Sequence, residues 1–203
     1  MRKMILLSFL VLLIPAIVCG QNKIDAPVWN IGDKWNLTGD VTVSVVNADE
    51  SSYVVKYLTS GGESVLICEK PSLNRIYSMD KKRRIKYEGR NRRLFNFPLD
   101  IGKSWKDKFV VKPAALADQE KTYLETFTVL GWEDVEVQAG KIKALKLEYK
   151  QEMVEQPTGR PKEGKVWYWY SPDVKYMVKC QYEKTDYWDA LYDWELTSFQ
   201  LKK

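Results

Sequence analysis

The stretch KVWYWYSPDVKYMVKCQYE, residues 165–183, decides the fold of this chain. It consists of two runs rich in aromatic and β-branched residues, which are the residues favoured in strands. Between them stands SPDVK, in which Pro172 presets the backbone of a turn and Asp173 favours one. The stretch therefore predicts a tight β-hairpin.

The first run of this hairpin is apolar on both sides. In a strand, alternate side chains point to opposite faces, so Trp167 and Trp169 share one face and Val166, Tyr168 and Tyr170 share the other. Two apolar faces fit a central strand that is covered on both sides, or a curved sheet whose inner face is dry and whose outer face carries Tyr hydroxyls to water. Two interpretations stay open: the Trp face lines a hollow that binds a ligand, or it packs in the core, which is the commoner use of strand aromatics.

The same pattern of short strand-like runs and turn residues continues on both sides of the hairpin. The runs include VTVSVV, SSYVVKYL, SVLICEK, ALKLEYKQ and a final WELTSFQLKK. No run is followed by a long amphipathic helix, which disfavours a parallel α/β fold. The sequence predicts an all-β protein with little helix, built as a single antiparallel meander that forms a strongly curved sheet or half-barrel.

The first twenty of the 203 residues differ from the rest of the chain. The basic start MRK is followed by the apolar run MILLSFLVLLIPAIV and by small residues before Gln21. This layout predicts a signal peptide over residues 1–20 and a single antiparallel β domain over residues 21–203. An uncleaved anchor is the alternative, but the apolar run falls short of the ~20 residues that a membrane span needs. We therefore expect an exported protein, either periplasmic or secreted.

Cys19 raises the alternative of a lipoprotein. A lipid-modified cysteine usually follows Gly, Ala or Ser, whereas here it follows Val18. A membrane tether through a lipid on Cys19 is therefore the less favoured form. No later stretch of the sequence is long and apolar enough to span a bilayer.

Composition excludes several function classes. The chain contains no histidine, which removes Ser-His-Asp and Cys-His catalysis and imidazole metal sites. No Gly-rich phosphate loop is present, so we predict no metal and no cofactor. The formal charge of +5 falls to +3 without the two basic residues of the first twenty, and nothing demands a nucleic-acid partner.

A basic cluster lies between residues 81 and 93. We predict that part of this cluster contacts an anionic surface, such as a lipid headgroup or an envelope polymer. The residues concerned are Arg83, Arg84, Lys86, Arg92 and Arg93. The competing interpretation is a charged edge hairpin that resists edge-to-edge aggregation.

Two cysteines remain after residue 20, and each sits in a strand-like run. Cys68 and Cys180 could form a disulfide in an oxidising compartment, where closing a long loop stabilises a fold. They could equally be separate buried thiols, because spacing along the chain does not show whether their Cα atoms approach.

Carboxylates are plentiful near aromatic residues. They include Glu125, Glu133, Asp134, Glu136, Asp186, Asp189 and Asp193. A glycosidase needs two carboxylates placed across the scissile bond, but nothing in this spacing selects a pair. The sequence therefore predicts no catalytic residue.

Four segments taken together resemble a known family. They are IGDKW (31–35), FPLDIGKSW (97–105), VEVQAGKIKALKLEY (135–149) and WYWYSPDVKYMVKCQYE (167–183). In this order they are similar to the TapB-like bacterial exported proteins of unknown function. That family carries no established activity, so the resemblance implies an exported, mainly antiparallel β protein and no catalytic residue. The chain departs from the family pattern at Gln138, Ile142 and Lys175.

Three functions follow from these observations as hypotheses. The first is a non-catalytic envelope protein whose curved sheet binds an apolar or amphipathic ligand or an envelope component, with Trp167 and Trp169 lining the hollow face. The second is a carboxylate-dependent hydrolase of an envelope glycan. The third is a structural or assembly role.

Overall fold

The computed structural model describes residues 23–80, 84–86, 94–111, 121–153, 163–184 and 192–203. Residues 1–22, with the predicted signal peptide and Cys19, lie outside these ranges. The described residues form twelve strands and no helix, so they contain no helix that could cross a membrane. The strands are β1 (Lys34–Leu37), β2 (Val41–Ala48), β3 (Ser52–Thr59), β4 (Gly62–Glu69), β5 (Arg75–Asp80), β6 (Arg84–Lys86), β7 (Ser104–Val111), β8 (Lys121–Val137), β9 (Gly140–Met153), β10 (Glu163–Ser171), β11 (Tyr176–Tyr182) and β12 (Trp194–Gln200).

All twelve strands belong to one antiparallel sheet with the order β6-β5-β4-β3-β2-β1-β12-β11-β10-β9-β8-β7. The chain meanders outward from β1 to β6, crosses to the far edge, and meanders back from β7 to β12. The first and last strands are therefore neighbours in the middle of the sheet. The predicted all-β antiparallel fold is confirmed, and the sheet is open, with β6 and β7 at its two edges.

The two meanders meet along a short seam between β11 and β12. Only the pairs Lys179↔Glu195 and Cys180↔Trp194 join these two strands. Beyond them, the backbone N–H of Ala139 donates to the carbonyl oxygen of Leu196 at 3.0 Å. The tip of the β8–β9 hairpin thus occupies the edge of β12 that β11 leaves uncovered.

The sheet is strongly curved. The phenol oxygens of Tyr57 on β3 and Tyr176 on β11 are 2.6 Å apart, although β2, β1 and β12 lie between those strands. Four strand spacings of about 4.8 Å would separate the two backbones by ~19 Å in a flat sheet. The two side chains meet because both project from the concave face of the curved sheet.

The motifs IGDKW and SPDVK meet in space at a tryptophan–turn junction. The indole N–H of Trp35 donates to the Val174 carbonyl oxygen, and that of Trp29 donates to the Lys175 carbonyl oxygen, each at 2.8 Å. The Trp35 ring also stacks on Tyr176, with centroids 4.7 Å apart. These contacts join the N-terminal part of one meander to the β10–β11 turn of the other.

Asp33 is completely buried beside this junction. One carboxylate oxygen accepts a hydrogen bond from the Asn30 N–H at 2.9 Å, and the other accepts from the Lys202 N–H at 2.6 Å. The Lys175 ammonium lies 3.9 Å from the carboxylate. Asp33 therefore ties together the entry to β1, the C-terminal tail and the β10–β11 turn.

Glycine turns precede two tryptophans that anchor strands, in the segments GDKW and GKSW. Gly32 and Gly102 have φ values of 93° and 83°, a region that favours glycine. Trp35 and Trp105 follow them as buried residues. Gly140 at the β8–β9 turn also has a positive φ, of 115°.

Candidate ligand pocket inside the curved sheet

The concave face encloses a pocket of about 840 Å³. This volume lies in the range of about 300–1,000 Å³ that is typical of small-molecule sites. Its wall is mainly apolar and draws residues from both meanders, among them Leu37, Val55, Leu73, Phe95, Tyr168 and Met177. The described side chains of the concave face therefore leave room for a ligand.

Part of the wall comes from the link between β6 and β7. Phe95 and Phe97 stack on each other with centroids 5.1 Å apart, and both meet the Tyr170 ring edge-on. In the same link Leu99 is fully buried, and its backbone bridges to Ile24. Residues 95–99 are therefore held in place by packing, and they supply an aromatic side to the pocket.

Polar groups cluster where β3, β5 and β11 face the pocket. The phenol oxygens of Tyr57 and Tyr176 form the 2.6 Å hydrogen bond described above, and the Arg75 guanidinium lies 5.6 Å from the Tyr57 ring centroid. Asn74, which precedes Arg75 in the chain, also lines the pocket. One wall thus carries hydrogen-bonding groups, and the rest is mainly apolar or aromatic, with Thr38, Lys175 and Asp193 as its polar members.

Two polar atoms of the lining have no hydrogen-bond partner in the structure. They are the hydroxyl of Tyr170, a residue only 1% exposed, and the side-chain oxygen of Asn74. Buried polar atoms are normally paired, and leaving one unpaired costs about 1–3 kcal/mol. Both atoms are buried beneath the pocket surface, so neither is open to an occupant of the pocket.

Burial raises the pKa of three weakly acidic groups in the lining, whereas Arg75 and Lys175 place two cations there. Burial raises the pKa of Tyr170 and of Tyr176 above the usual phenol value. Burial also raises the pKa of the Cys68 thiol to about 11, although nearby Arg75 acts in the opposite direction. Anions placed against this wall would meet the same desolvation cost.

The prediction that Trp167 and Trp169 line the hollow face is wrong for this pocket. The pocket is lined by Tyr168 and Tyr170 of β10. Because β10 pairs with β9 without a register shift, alternate side chains point to opposite faces, and Trp167 and Trp169 lie on the other side of the sheet. Strand alternation separates the two sets of side chains but does not say which set faces the concave side. The hairpin predicted over the same residues is confirmed.

Trp169 is nevertheless buried, because charged side chains cover it on the outer face. Its indole N–H donates to Glu133 at 2.7 Å, and the ammonium groups of Lys146 and Lys179 lie 4.9 and 5.2 Å from its ring centroid. This hydrogen bond from Trp169, together with Lys146, lowers the pKa of the Glu133 carboxyl. The outer cluster is thus a packed and hydrogen-bonded support of the sheet.

Cys68 and Cys180 do not form a disulfide. Both are free thiols buried in the sheet. Cys68 lies on β4 and Cys180 on β11, and four strands separate β4 from β11. Of the two interpretations that the sequence left open, the structure matches separate buried thiols.

These thiols make stability depend on pH. Burial raises the pKa of Cys68 from 9.0 to about 11 and that of Cys180 from 9.0 to about 12. Above pH 9 the unfolded chain releases thiol protons that the native state retains, so the stabilisation present below pH 9 is lost as pH rises toward 11–12. We expect a loss of up to ~1.4 kcal/mol per pH unit for each thiol in this window.

Urea denaturation at pH 8, 9, 10 and 11 checks this dependence. The double variant Cys68→Ala, Cys180→Ala serves as the comparison. The cavities left by the two substitutions lower its stability, but it has neither of these thiols to ionise. Its free energy of unfolding should fall less steeply with pH than that of the parent chain. Parallel slopes for the two proteins would contradict the prediction.

The predicted anionic-surface residues are only partly covered by the structure. Arg83, Arg92 and Arg93 lie outside the described residues. Arg84 and Lys86 lie on β6, opposite Met79 and Tyr77 of β5. Because β6 is an edge strand, their position fits the protective role considered for the cluster, and contact with an anionic surface stays a prediction.

The described carboxylates do not assemble a hydrolase site around the pocket. Of the residues described in its lining, Asp193 alone is acidic, and it accepts a hydrogen bond from the Tyr182 N–H at 2.8 Å. Asp186 and Asp189 lie outside the described ranges. Within those ranges no three His, Cys, Asp or Glu side chains cluster in a way that could hold a metal ion.

Glu125 is a structural feature that the sequence did not reveal. It is completely buried on β8, where its carboxylate accepts hydrogen bonds from the Tyr149 hydroxyl at 2.5 Å and the Gln151 amide at 3.1 Å. All three residues share one face of the β8–β9 ladder. Tyr149 and Gln151 alternate with charged residues of β9, but Glu125 lies between Leu124 and Thr126, so no local pattern indicates its burial.

No protein-family model and no curated protein matches the chain. Among solved structures, the hypothetical lipoprotein YmcC from Escherichia coli K12 is similar at 12% identity and a TM-score of 0.48, covering 90% of this chain and 92% of that one. A candidate lipoprotein from Parabacteroides distasonis is similar at 14% identity and a TM-score of 0.46, covering 89% and 100%. A candidate exported protein with a YmcC-like fold from Bacteroides fragilis is similar at 14% identity and a TM-score of 0.39, and the match covers 88% of this chain and 100% of that one.

These likenesses run along most of the chain. At 12–14% identity and TM-scores below 0.5, they carry no argument about what this chain binds or does. The resemblance to the TapB-like family stays a prediction, since no family model matches. Any functional conclusion therefore rests on the pocket itself.

Proposed function

We propose that this protein is a non-catalytic, exported envelope protein that holds an apolar or amphipathic ligand on the concave face of its sheet. The observation that carries this proposal is the pocket of about 840 Å³, whose wall is largely apolar and aromatic. A sheet that only packed against itself would fill this space with its own side chains. Thr38, Arg75 and the Tyr57–Tyr176 hydroxyl pair add polar groups to the lining, and these favour an occupant with some polar character.

A tryptophan placed in the pocket should block binding. Val41 lines the pocket from β2, whereas Val46 on the same strand is 44% exposed and does not line it. With the neutral probe N-phenyl-1-naphthylamine, we expect saturable binding with fluorescence enhancement. Val41→Trp should weaken this binding at least tenfold because the indole occupies the ligand's volume.

Val46→Trp is the matched control, since it introduces the same residue on the same strand outside the pocket. Its probe affinity should equal that of the parent chain. Circular dichroism and the denaturation midpoint would show that both variants are folded. The proposal fails if the parent chain shows no saturable binding, or if the two folded variants bind the probe equally well.

Export is proposed on the layout of residues 1–20, whose basic start, apolar run and small residues are typical of a signal peptide. Protein isolated from the envelope or medium of producing cells should have the intact mass of residues 21–203. A mass that corresponds to a chain starting at a lipid-modified Cys19 would support the tethered form instead. The mass of the complete chain would contradict both forms.

A further inference from the structure

The charged residues of the pocket lining lie at opposite ends of β11. Lys175 directly precedes this strand, whose first residue is Tyr176. The Tyr176 hydroxyl meets that of Tyr57 at 2.6 Å, and the Arg75 guanidinium lies 5.6 Å from the Tyr57 ring centroid. Both cations of the described lining are therefore near the start of β11.

The one described acidic residue of the lining is at the other end of the strand. Asp193 accepts a hydrogen bond from the backbone N–H of Tyr182, the last residue of β11. A strand of seven residues spans ~20 Å, so Asp193 is far from both cations. The pocket thus has a basic end and an acidic end, joined by a wall that is mainly apolar and aromatic.

The two cations differ in what they offer to an occupant. The Lys175 ammonium donates to the Val28 carbonyl oxygen at 2.9 Å and lies 3.9 Å from the buried Asp33 carboxylate, so its charge is balanced within the fold. Arg75 is exposed where it borders the pocket. Its planar guanidinium can bind a carboxylate through two parallel hydrogen bonds. Arg75 is therefore the lining residue that suits an anionic head group.

The interior of the pocket suits the chain of an amphiphile and not its head. Burial is the main cause of the raised pKa of Cys68 and of Tyr176, and a charge placed against them would also lose its hydration. The positive charge of Arg75 opposes the rise at both groups, so its field reaches into the wall. A head group beside the exposed Arg75 keeps part of its hydration while the chain is buried.

Resting on the ligand-binding function proposed above, we propose that the pocket binds a single-chain anionic amphiphile of the fatty-acid type. Its carboxylate pairs with Arg75 at the basic end. Its chain runs along β11 toward the end marked by Asp193, against apolar residues such as Leu37, Phe95 and Met177.

Competition for bound N-phenyl-1-naphthylamine tests the charge of the head group. Laurate, methyl laurate and dodecyltrimethylammonium have chains of matched length and an anionic, a neutral and a cationic head. We expect laurate to displace the probe at a concentration about fivefold lower than methyl laurate, as one charge-assisted pair at a partly exposed site allows. Dodecyltrimethylammonium should be the weakest competitor. If it is the strongest, the acidic end selects the ligand and the proposal is wrong.

Arg75→Gln tests the residue. Removing the charge should weaken laurate binding about fivefold, while methyl laurate and the probe should bind within about twofold of their parent values. Lys70→Gln is the matched control, because Lys70 also lies beside a tyrosine ring, 5.1 Å from the Tyr53 centroid, but does not line the pocket. It should leave all three affinities within about twofold. Arg75→Lys keeps the charge and should bind laurate more tightly than Arg75→Gln does; equal affinities would contradict the role of the charge.

Asp193→Asn tests the orientation of the ligand. The asparagine keeps an oxygen that can accept from the Tyr182 N–H, so chiefly the negative charge is lost. With the head at the basic end, laurate affinity should change by less than about twofold, since charges more than ~8 Å apart are largely screened at physiological salt. A gain of about fivefold would place the head beside Asp193 and overturn the proposed orientation.

The outcomes separate this inference from the broader proposal. Absence of saturable probe binding would overturn both. Probe binding with equal displacement by laurate and methyl laurate, or with no effect of Arg75→Gln on their ratio, would overturn the inference and leave a general apolar pocket. Stronger displacement by dodecyl phosphate than by laurate would also overturn it, because the preferred head would then be a phosphate.

Discussion

Replacing Trp35 by alanine is expected to lower the free energy of unfolding by about 3–5 kcal/mol, the usual cost of removing a buried tryptophan. The side chain is completely buried, stacks on Tyr176 and donates its indole N–H to the Val174 carbonyl oxygen. The substitution removes packing from both meanders and leaves that carbonyl without its donor. Since domains have only about 5–15 kcal/mol of stability, the loss is a large fraction of the total.

Two further variants separate the causes. Trp35→Phe keeps an aromatic ring for the stack but cannot donate to the Val174 carbonyl oxygen. It should therefore lower the free energy of unfolding by less than Trp35→Ala does, but by more than a surface substitution does. Trp132→Ala is the matched control, because Trp132 is 39% exposed at the β8–β9 hairpin, and its loss should be small. Urea or guanidinium denaturation at pH 7 measures all three. Equal effects for Trp35→Ala and Trp132→Ala would contradict this account of the junction.

Replacing Asp33 by alanine is expected to lower the free energy of unfolding by about 3–6 kcal/mol, the sum for two hydrogen bonds to a charged group. Its buried carboxylate accepts hydrogen bonds from the backbone N–H groups of Asn30 and Lys202, and hydrogen bonds to a charged group contribute about 1.5–3 kcal/mol each. The alanine variant leaves both donors without their acceptor. Denaturation curves and hydrogen exchange at Asn30 and Lys202 measure the effect, and exchange at both amides should accelerate.

Asp33→Asn refines this test and Asp134→Ala controls it. The asparagine keeps the volume and one accepting oxygen but turns an N–H₂ group toward the second donor. We therefore expect a free energy of unfolding between those of the parent chain and Asp33→Ala. Asp134 is exposed and pairs only with the exposed Lys141, and such surface pairs contribute little, so its alanine variant should lie within about 0.5–1 kcal/mol of the parent. An Asp33→Ala variant as stable as Asp134→Ala would show that the tail and the turn do not depend on this carboxylate.

Local patterns in the sequence predicted the elements well, because they are set by neighbouring residues. The β10–β11 hairpin follows from the SPDVK motif, in which Pro172 and Asp173 favour the turn. The antiparallel sheet with little helix follows from many short runs joined by turn residues. These features need no knowledge of distant partners.

The pocket could not be predicted in the same way, since it depends on pairing across the chain. Alternation divided β10 into a Trp face and a Tyr face, but only the curvature of the whole sheet decides that Tyr168 and Tyr170 face the concave side. The meeting of Tyr57 with Tyr176, and of Asp33 with Lys202, joins residues 119 and 169 positions apart. Nothing in local spacing indicates such partners.

The pairing of β1 with β12 also imposes an order on folding as the chain is made. β1 is complete within the first 37 residues, but the strand that covers its second edge begins only at Trp194. Until then the N-terminal meander β1–β6 has an open edge at β1, and before the β10–β11 turn is synthesised it also lacks the partners of Trp35. Long-range closure of this kind slows folding and leaves incomplete sheets prone to aggregation. We therefore expect a nascent chain without its last strand to depend on chaperones, and the native sheet to form only after synthesis of the complete chain.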